Sequence, residues 1–129
     1  EKAEEYFELS QPDPFMTMAP KVRPEKVSTI QAAVHVDGTG RIQTVDKKDN
    51  PRYWGVISEY EKLTGVPVIL NTSFNRQEPV VNRPREAISC YLRTDMDVLV
   101  MGDYYSTDRN PDAVRQAHEV FDKKYLWKK

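Results

Sequence analysis

Nine prolines punctuate this 129-residue chain, and their placement constrains its folding more than any other feature. Proline fixes φ and lacks an N–H, so it suits the first turn of a helix and disrupts one further in. Pro51 and Pro111 each follow an asparagine, a residue whose side chain caps helix N-termini. Behind Pro51, residues Tyr53, Val56, Ile57, Tyr60 and Leu63 form an apolar stripe that Gly65 and Pro67 end. Behind Pro111 the stripe is Val114, Ala117, Phe121 and Tyr125. Pro84 opens a third helical segment carrying Ala87, Ile88, Tyr91 and Leu92, with Arg83 or Asn82 as its cap. Pro12, Pro14, Pro20 and Pro24 crowd residues 11–24, which predicts extended chain there. Glu1 to Leu9 reads as the end of a helix.

Strand signals lie between these segments. Val66–Leu70 and Val98–Met101 are short apolar runs bounded by Gly, Pro and Asn, and read as buried strands. Residues 32–45 alternate around Gly38-Thr39-Gly40, predicting a β-hairpin. Its more apolar face uses even numbers on both arms, so the loop must have odd length. Gly38 to Gly40 then form a three-residue loop, with Gly40 in the left-handed position. The opposite face carries His35, Asp37, Arg41 and Gln43, which either meet solvent or line a site. Helices alternating with strands place the chain in the α/β class.

Composition narrows function. The formal charge is −1, without the basic excess of a duplex binder. Val66–Leu70 is the longest apolar stretch, far short of the roughly 20 residues a bilayer needs. One cysteine, Cys90, excludes a disulfide scaffold and reads as a small buried apolar residue. The acidic first ten residues carry no secretory signal, which points to a reducing, cytoplasmic setting. The chain begins at Glu1, so it is expected to be a segment of a longer protein or a mature form.

Chemistry concentrates in two places. Asn71-Thr72-Ser73-Phe74-Asn75 follows an expected strand, and ligands in open α/β sheets bind beyond strand ends. Its amides and hydroxyls suit phosphate or carbonyl oxygens, or else bond their own backbone as a polar turn. Asn71-Thr72-Ser73 also spells a glycosylation sequon, discounted in a chain with no secretory signal. His35 near Asp37 is either a base oriented by a carboxylate or a hydrogen-bonded sheet residue. His118 has no assigned role. Metal-ligand spacings are lacking. Lys123-Lys124 and Lys128-Lys129 read as a solvated helix terminus.

The runs His35–Val45, Thr64–Asn75 and Arg93–Asp97 resemble the carbamoyltransferase family that modifies nodulation factors and aminoglycoside or cephalosporin antibiotics. Pro14-Phe15-Met16 is similar to that family's Pro-aromatic-Met step. The resemblance is to the family's C-terminal domain. It implies one YrdC-like domain over residues 1–129: α/β (with α+β as the alternative), a twisted mixed sheet, a hairpin at 32–45 and flanking helices. It further implies activation of carbamoyl phosphate by ATP, with Mg²⁺, as carbamoyl-adenylate. The carbamoyl group would pass to the hydroxyl of a small-molecule acceptor held by an N-terminal actin-like domain of the same polypeptide. That domain carries the metal; this segment implies none. By motif, Arg41 and Ser73 are implied as catalytic. Met16, Asp37, Thr39, Arg41, Asn71, Thr72, Ser73 and Asn75 are implied to surround carbamoyl phosphate and nucleotide.

Three departures from the family pattern bear on this. Gly40 stands where the family commonly has alanine, expected to be harmless. Arg83 replaces a capping hydroxyl before Pro84. The family's basic phosphate-binding stretch would lie upstream of Glu1, so the segment is expected to bind nucleotide weakly and to be inactive alone. Two other readings compete. One is a non-catalytic nucleotide- or carbamoyl-binding module related to YrdC-like tRNA-modification proteins, which the charge disfavours. The other is a scaffold domain.

Overall fold

Asparagine–proline pairs start two helices as expected. In the computed structural model, which describes residues 1–125, α1 spans Ala3–Tyr6, α2 Pro51–Thr64, α3 Pro84–Leu92 and α4 Pro111–Tyr125. Asn50 Oδ1 accepts from the Tyr53 N–H at 3.1 Å, capping α2, and Gly65 ends it at φ +77°. Asn110 Oδ1 accepts from the N–H groups of Asp112 and Ala113 at 2.9 and 3.2 Å, capping α4. Arg83 gives α3 no side-chain cap; instead the Glu86 carboxylate reaches back to the Asn82 N–H at 3.1 Å. Lys123 and Lys124 lie in the last turn of α4, and Lys128 and Lys129 lie outside the described residues.

The chain forms two compact units, Glu1–Asn71 and Thr72–Lys129. In the first, Tyr6, Phe7, Val22, Ile30 and Ile42 form the core, with Leu9, Val34, Val66 and Val68 against it. The expected hairpin over 32–45 does not form as a ladder. Residues 31–33 make a 3₁₀ turn, and the His35 N–H bonds the Thr39 carbonyl at 2.7 Å. The loop is therefore Val36-Asp37-Gly38, odd in length as parity requires but two residues earlier than expected. Gly38 takes the left-handed conformation at φ +78°, not Gly40. The arm beyond the turn bonds elsewhere: Gly40 N–H to the Pro20 carbonyl at 3.0 Å, and Thr44 N–H to the Asp13 carbonyl at 2.8 Å. The proline-rich extended stretch has displaced the expected partner. A Cβ at Gly40 would stand 2.9 Å from Phe7 Cε1 and 3.0 Å from the Ala33 carbonyl oxygen. Glycine here permits a close approach, so alanine is accommodated only if the Phe7 ring yields.

Val66–Leu70 has no ladder partner among the described residues, and Leu70 is 65% exposed, so it is not the buried strand expected. Its alternate residues Val66 and Val68 still pack on the core. The α2 stripe differs from expectation too: none of its residues is buried, and Leu63 is 86% exposed.

In the second unit β1 (Leu99–Met101) pairs antiparallel with β2 (Tyr104–Ser106), Met101 opposite Tyr104. Gly102 sits at φ +60° in the two-residue turn, a position that favours glycine. Leu99 is buried while Val98 and Val100 are exposed, so this strand alternates rather than being buried throughout. Ala87, Tyr91 and Leu99 form the core, and Cys90, Ala117 and Phe121 are also buried. Burial, followed by the nearby Glu78 charge, pushes the Cys90 thiol pKa up. The α/β class holds, with four helices and a two-stranded sheet. That sheet is antiparallel rather than mixed.

A buried ion pair organises this unit. Arg93 Nη2 donates to Glu78 Oε1, with the two side chains only 3% and 7% exposed. Glu78 Oε2 accepts from the N–H groups of Gln77 and Arg76 at 2.9 and 3.3 Å. The Arg93 guanidinium also lies 3.7 Å from the Phe121 ring centroid. Burial alone would raise the Glu78 pKa, but the N–H donors and Arg93 prevail and hold it at about 2. Removing one partner strands a buried charge. We predict that Arg93→Ala destabilises the protein by about 3–5 kcal/mol in urea unfolding at neutral pH. Because the folded pKa is lowered, the Glu78 contribution is complete above its ordinary value of 4.5 and disappears as pH falls toward 2. Denaturant midpoints between those pH values should fall steeply in the parent and less in Glu78→Gln.

Candidate functional site

The first unit builds its site around a tight loop at Asp13. The buried Asp13 carboxylate accepts the Met18 N–H at 2.6 Å, the Thr17 hydroxyl at 3.0 Å and the Phe15 N–H at 3.2 Å. An aspartate before proline favours such a turn. Burial pushes the Asp13 pKa up, but these donors, the Met18 N–H foremost, outweigh it and lower the pKa overall. The loop holds Met16 at φ +58°, the only non-glycine residue in the left-handed region among the described residues. That conformation costs energy and persists only where its surroundings enforce it.

Residues 41–43 run beside this loop. Arg41 Nε donates to the Met16 carbonyl at 3.2 Å, and Gln43 Nε2 donates to the Pro14 carbonyl at 3.2 Å. Asn71 Nδ2 donates to Gln43 Oε1 at 2.8 Å. Met16, Arg41, Gln43 and Asn71 thereby form one bonded wall of a cavity of about 750 Å³ in this unit. His35 lines the same cavity, so three members of the polar face read from the sequence line it, and all three are also exposed to solvent.

Charge in the cavity is mixed. Arg41 keeps its terminal nitrogens outside any hydrogen bond among the described residues, while Lys2, the other lining cation, is paired with Glu61. Glu1, Glu4 and Asp46 also line the space, so among the described residues Arg41 is the lining arginine or lysine without a carboxylate partner.

The remaining expected residues are placed as follows. Asp37 and Thr39 are not among the cavity's lining residues. Asp37 Oδ1 accepts the Thr39 hydroxyl at 2.7 Å and the Thr39 N–H at 2.9 Å, and these bonds lower the Asp37 pKa. In the second unit the Ser73 hydroxyl donates to Asn75 Oδ1 at 2.6 Å, and Asn75 Nδ2 donates to the Glu78 carbonyl at 2.9 Å. Ser73 and Asn75 thus form the self-bonded polar turn that the sequence left as one alternative. Thr72 is exposed. Sequence reasoning overlooked Asp13, whose Asp-Pro step was the available signal, and gave Gln43 no role although it shares a face with Arg41. No group of three or more His, Cys, Asp or Glu side chains converges among the described residues.

Comparison with known proteins shows the family. The family model described as carbamoyltransferase C-terminus matches residues 1–107. The nodulation protein NolO of Bradyrhizobium diazoefficiens is 47% identical over 110 residues, covering 81% of this chain and 20% of the relative. The nodulation protein NolNO of Sinorhizobium fredii is 47% identical over 108 residues, covering 81% and 16%. An uncharacterized protein, sll1178, of Synechocystis is 40% identical over 125 residues, covering 81% and 20%. The chain belongs to the carbamoyltransferase C-terminus family, and it spans about a fifth of the length of these curated relatives.

We predict that Asp13→Ala lowers Tm and broadens the amide signals of residues 13–18 and Arg41, while Phe15→Ser, at an 83% exposed position, leaves both unchanged. The lowered Asp13 pKa means its support is intact above the ordinary aspartate range and is lost as pH falls through the folded value. The parent Tm should therefore drop on acidification more than that of Asp13→Ala.

Proposed function

We propose that this chain is the part of a carbamoyltransferase that binds carbamoyl phosphate and ATP: water takes the place of the phosphate, which leaves as inorganic phosphate, and the resulting carbamate oxygen bonds to the α-phosphorus of ATP, forming carbamoyl-adenylate as pyrophosphate leaves. The carbamoyl group then passes to the hydroxyl of a small-molecule acceptor. The observation that carries this reading is the bonded wall of Met16, Arg41, Gln43 and Asn71 around one cavity, within the segment matched by the family.

The chemistry follows from the groups present. Adenylate formation develops negative charge on phosphate oxygens, which fixed donors stabilise best. Arg41 anchors itself through Nε, leaving its terminal nitrogens for two-point contact with phosphate, which lysine would not reproduce. Asn71 uses one amide hydrogen on Gln43, leaving an N–H and Oδ1 to complement a carbamoyl group. Met16 contributes the wall beside Arg41. By motif we assign a catalytic role to Ser73, whose hydrogen is held by Asn75 Oδ1 here, and a binding role to Thr72 and Asn75 of the same unit; in the first unit Asp37 and Thr39 support the turn. Mg²⁺ enters with ATP, where it would neutralise the polyphosphate. The acceptor and a separate metal site belong to an N-terminal actin-like domain of the longer polypeptide. The setting is cytoplasmic; among the described residues no helix is long and apolar enough to cross a membrane.

Carboxylates lining the cavity oppose anion binding, so this chain alone should bind carbamoyl phosphate and non-hydrolysable ATP weakly. Calorimetry should give dissociation constants well above micromolar, and sub-micromolar binding would contradict the reading. In the full-length enzyme, Arg41→Ala and Ser73→Ala should each reduce carbamoyl transfer by roughly 10²–10³-fold, the scale of a lost oxyanion donor, with little change in Tm. Arg41→Lys should not restore activity. Unchanged turnover in both alanine variants would instead favour a scaffold role.

A further inference from the structure

His35 takes no part in the chemistry above, yet its surroundings fix it closely. Its N–H and the Thr39 carbonyl close the turn at 2.7 Å, and its Nδ1 lies 2.9 Å from Thr39 Oγ1. The same hydroxyl lies 2.7 Å from Asp37 Oδ1, which also accepts the Thr39 N–H. A hydroxyl carries one hydrogen, and a carboxylate only accepts. The Thr39 hydrogen therefore goes to Asp37, and the hydrogen of the second bond comes from His35 Nδ1. The lowered Asp37 pKa keeps that carboxylate ionised and acceptor-only. In the neutral imidazole this leaves Nε2 unprotonated, on a residue that lines the cavity with Arg41 and Asn71.

An acceptor without charge does nothing for phosphate, but it distinguishes acyl groups. Carbamoyl and acetyl phosphate share their phosphate and carbonyl and have nearly the same shape. They differ in an –NH₂ group, which donates hydrogen bonds, against a methyl group, which does not. Pressing a methyl group against Nε2 would strip water from a lone pair and return nothing.

We propose that His35 offers Nε2 as a hydrogen-bond acceptor to the amino group of carbamoyl phosphate and so selects it over acetyl phosphate, with Thr39 and Asp37 as positioning residues that set the imidazole tautomer. This rests on the carbamoyl phosphate reading and adds a specificity determinant to it.

The test uses ¹⁵N-labelled chain at about pH 8, where an ordinary imidazole is neutral. Nitrogen-detected NMR should show the His35 hydrogen on Nδ1. Thr39→Val should weaken that preference and Thr39→Ser restore it, with His118 unchanged in both. Titration with carbamoyl phosphate, acetyl phosphate and inorganic phosphate follows the same spectra. Carbamoyl phosphate should bind about tenfold more tightly than acetyl phosphate, the scale of one hydrogen bond. The ratio should fall to near one in His35→Leu and survive in part in His35→Gln, which keeps an acceptor oxygen. Thr39→Val should reduce the ratio without abolishing binding. A hydrogen on Nε2 in the parent, or a ratio that His35→Leu leaves unchanged, overturns this proposal alone, provided carbamoyl phosphate still binds through Arg41. Failure of both acyl phosphates to bind, or equal binding of inorganic and carbamoyl phosphate, overturns the underlying reading and this proposal with it.

Discussion

The first unit depends on the Asp13 carboxylate. Three donors converge on it, and together they bend residues 13–18 so that Met16 sits in a backbone conformation that a branched or bulky residue rarely adopts. The strained loop turns the Met16 and Pro14 carbonyls toward residues 41–43. Those carbonyls then accept from Arg41 and Gln43, and Gln43 in turn accepts from Asn71. A single buried charge thus sets the aim of a guanidinium and an amide that are distant in sequence. An arginine fixed by its Nε is partly preorganised, so less side-chain freedom is lost when its terminal nitrogens meet an anion.

The helices were legible because their signals are local. Asn50-Pro51, Asn110-Pro111 and Gly65 do their work within one turn, and no distant residue can override them cheaply. The turn at 35–39 was half legible. Parity fixed an odd loop, but the choice between Gly38 and Gly40 as the left-handed residue depended on what residues 40–44 bonded to. Their partners proved to be Pro20 and Asp13, in a stretch whose prolines signal extended chain without naming a neighbour. The site followed the same division. Arg41 and Asn71 were named from motif resemblance, and their geometry agrees with a shared cavity. Asp13 was missed, and Gln43 was left on a polar face with no role of its own, because their importance lies in a three-dimensional chain of hydrogen bonds. The Glu78–Arg93 pair was missed for the same reason, since nothing in sequence marks two charges 15 positions apart as buried together.

Close packing at Gly40 links core and site. The glycine lets residue 40 lie against Phe7 and the Ala33 carbonyl, with its N–H on Pro20. The next residue is Arg41, so the direction in which the guanidinium leaves the backbone is set one position after this close approach. Core and site are therefore not independent. A substitution that moves Phe7, which also lines the cavity, would be felt at Arg41.

The cavity's charge balance bears on how such a site would work. With one guanidinium not committed to an ion pair among several carboxylates, such a site would have low ground-state affinity for a doubly charged phosphate. Low ground-state affinity is no obstacle to catalysis, because only interactions that strengthen in the transition state accelerate the chemical step. Neutral groups gain importance in that setting. On the proposed reading, the Asn71 amide and the unprotonated nitrogen of His35 would contribute little to attraction at a distance, but each would penalise an acyl group whose hydrogen-bonding pattern is wrong. Attraction would then fall to Arg41 and discrimination to its uncharged neighbours, a division that would let one cavity hold phosphate loosely and still judge what the phosphate carries.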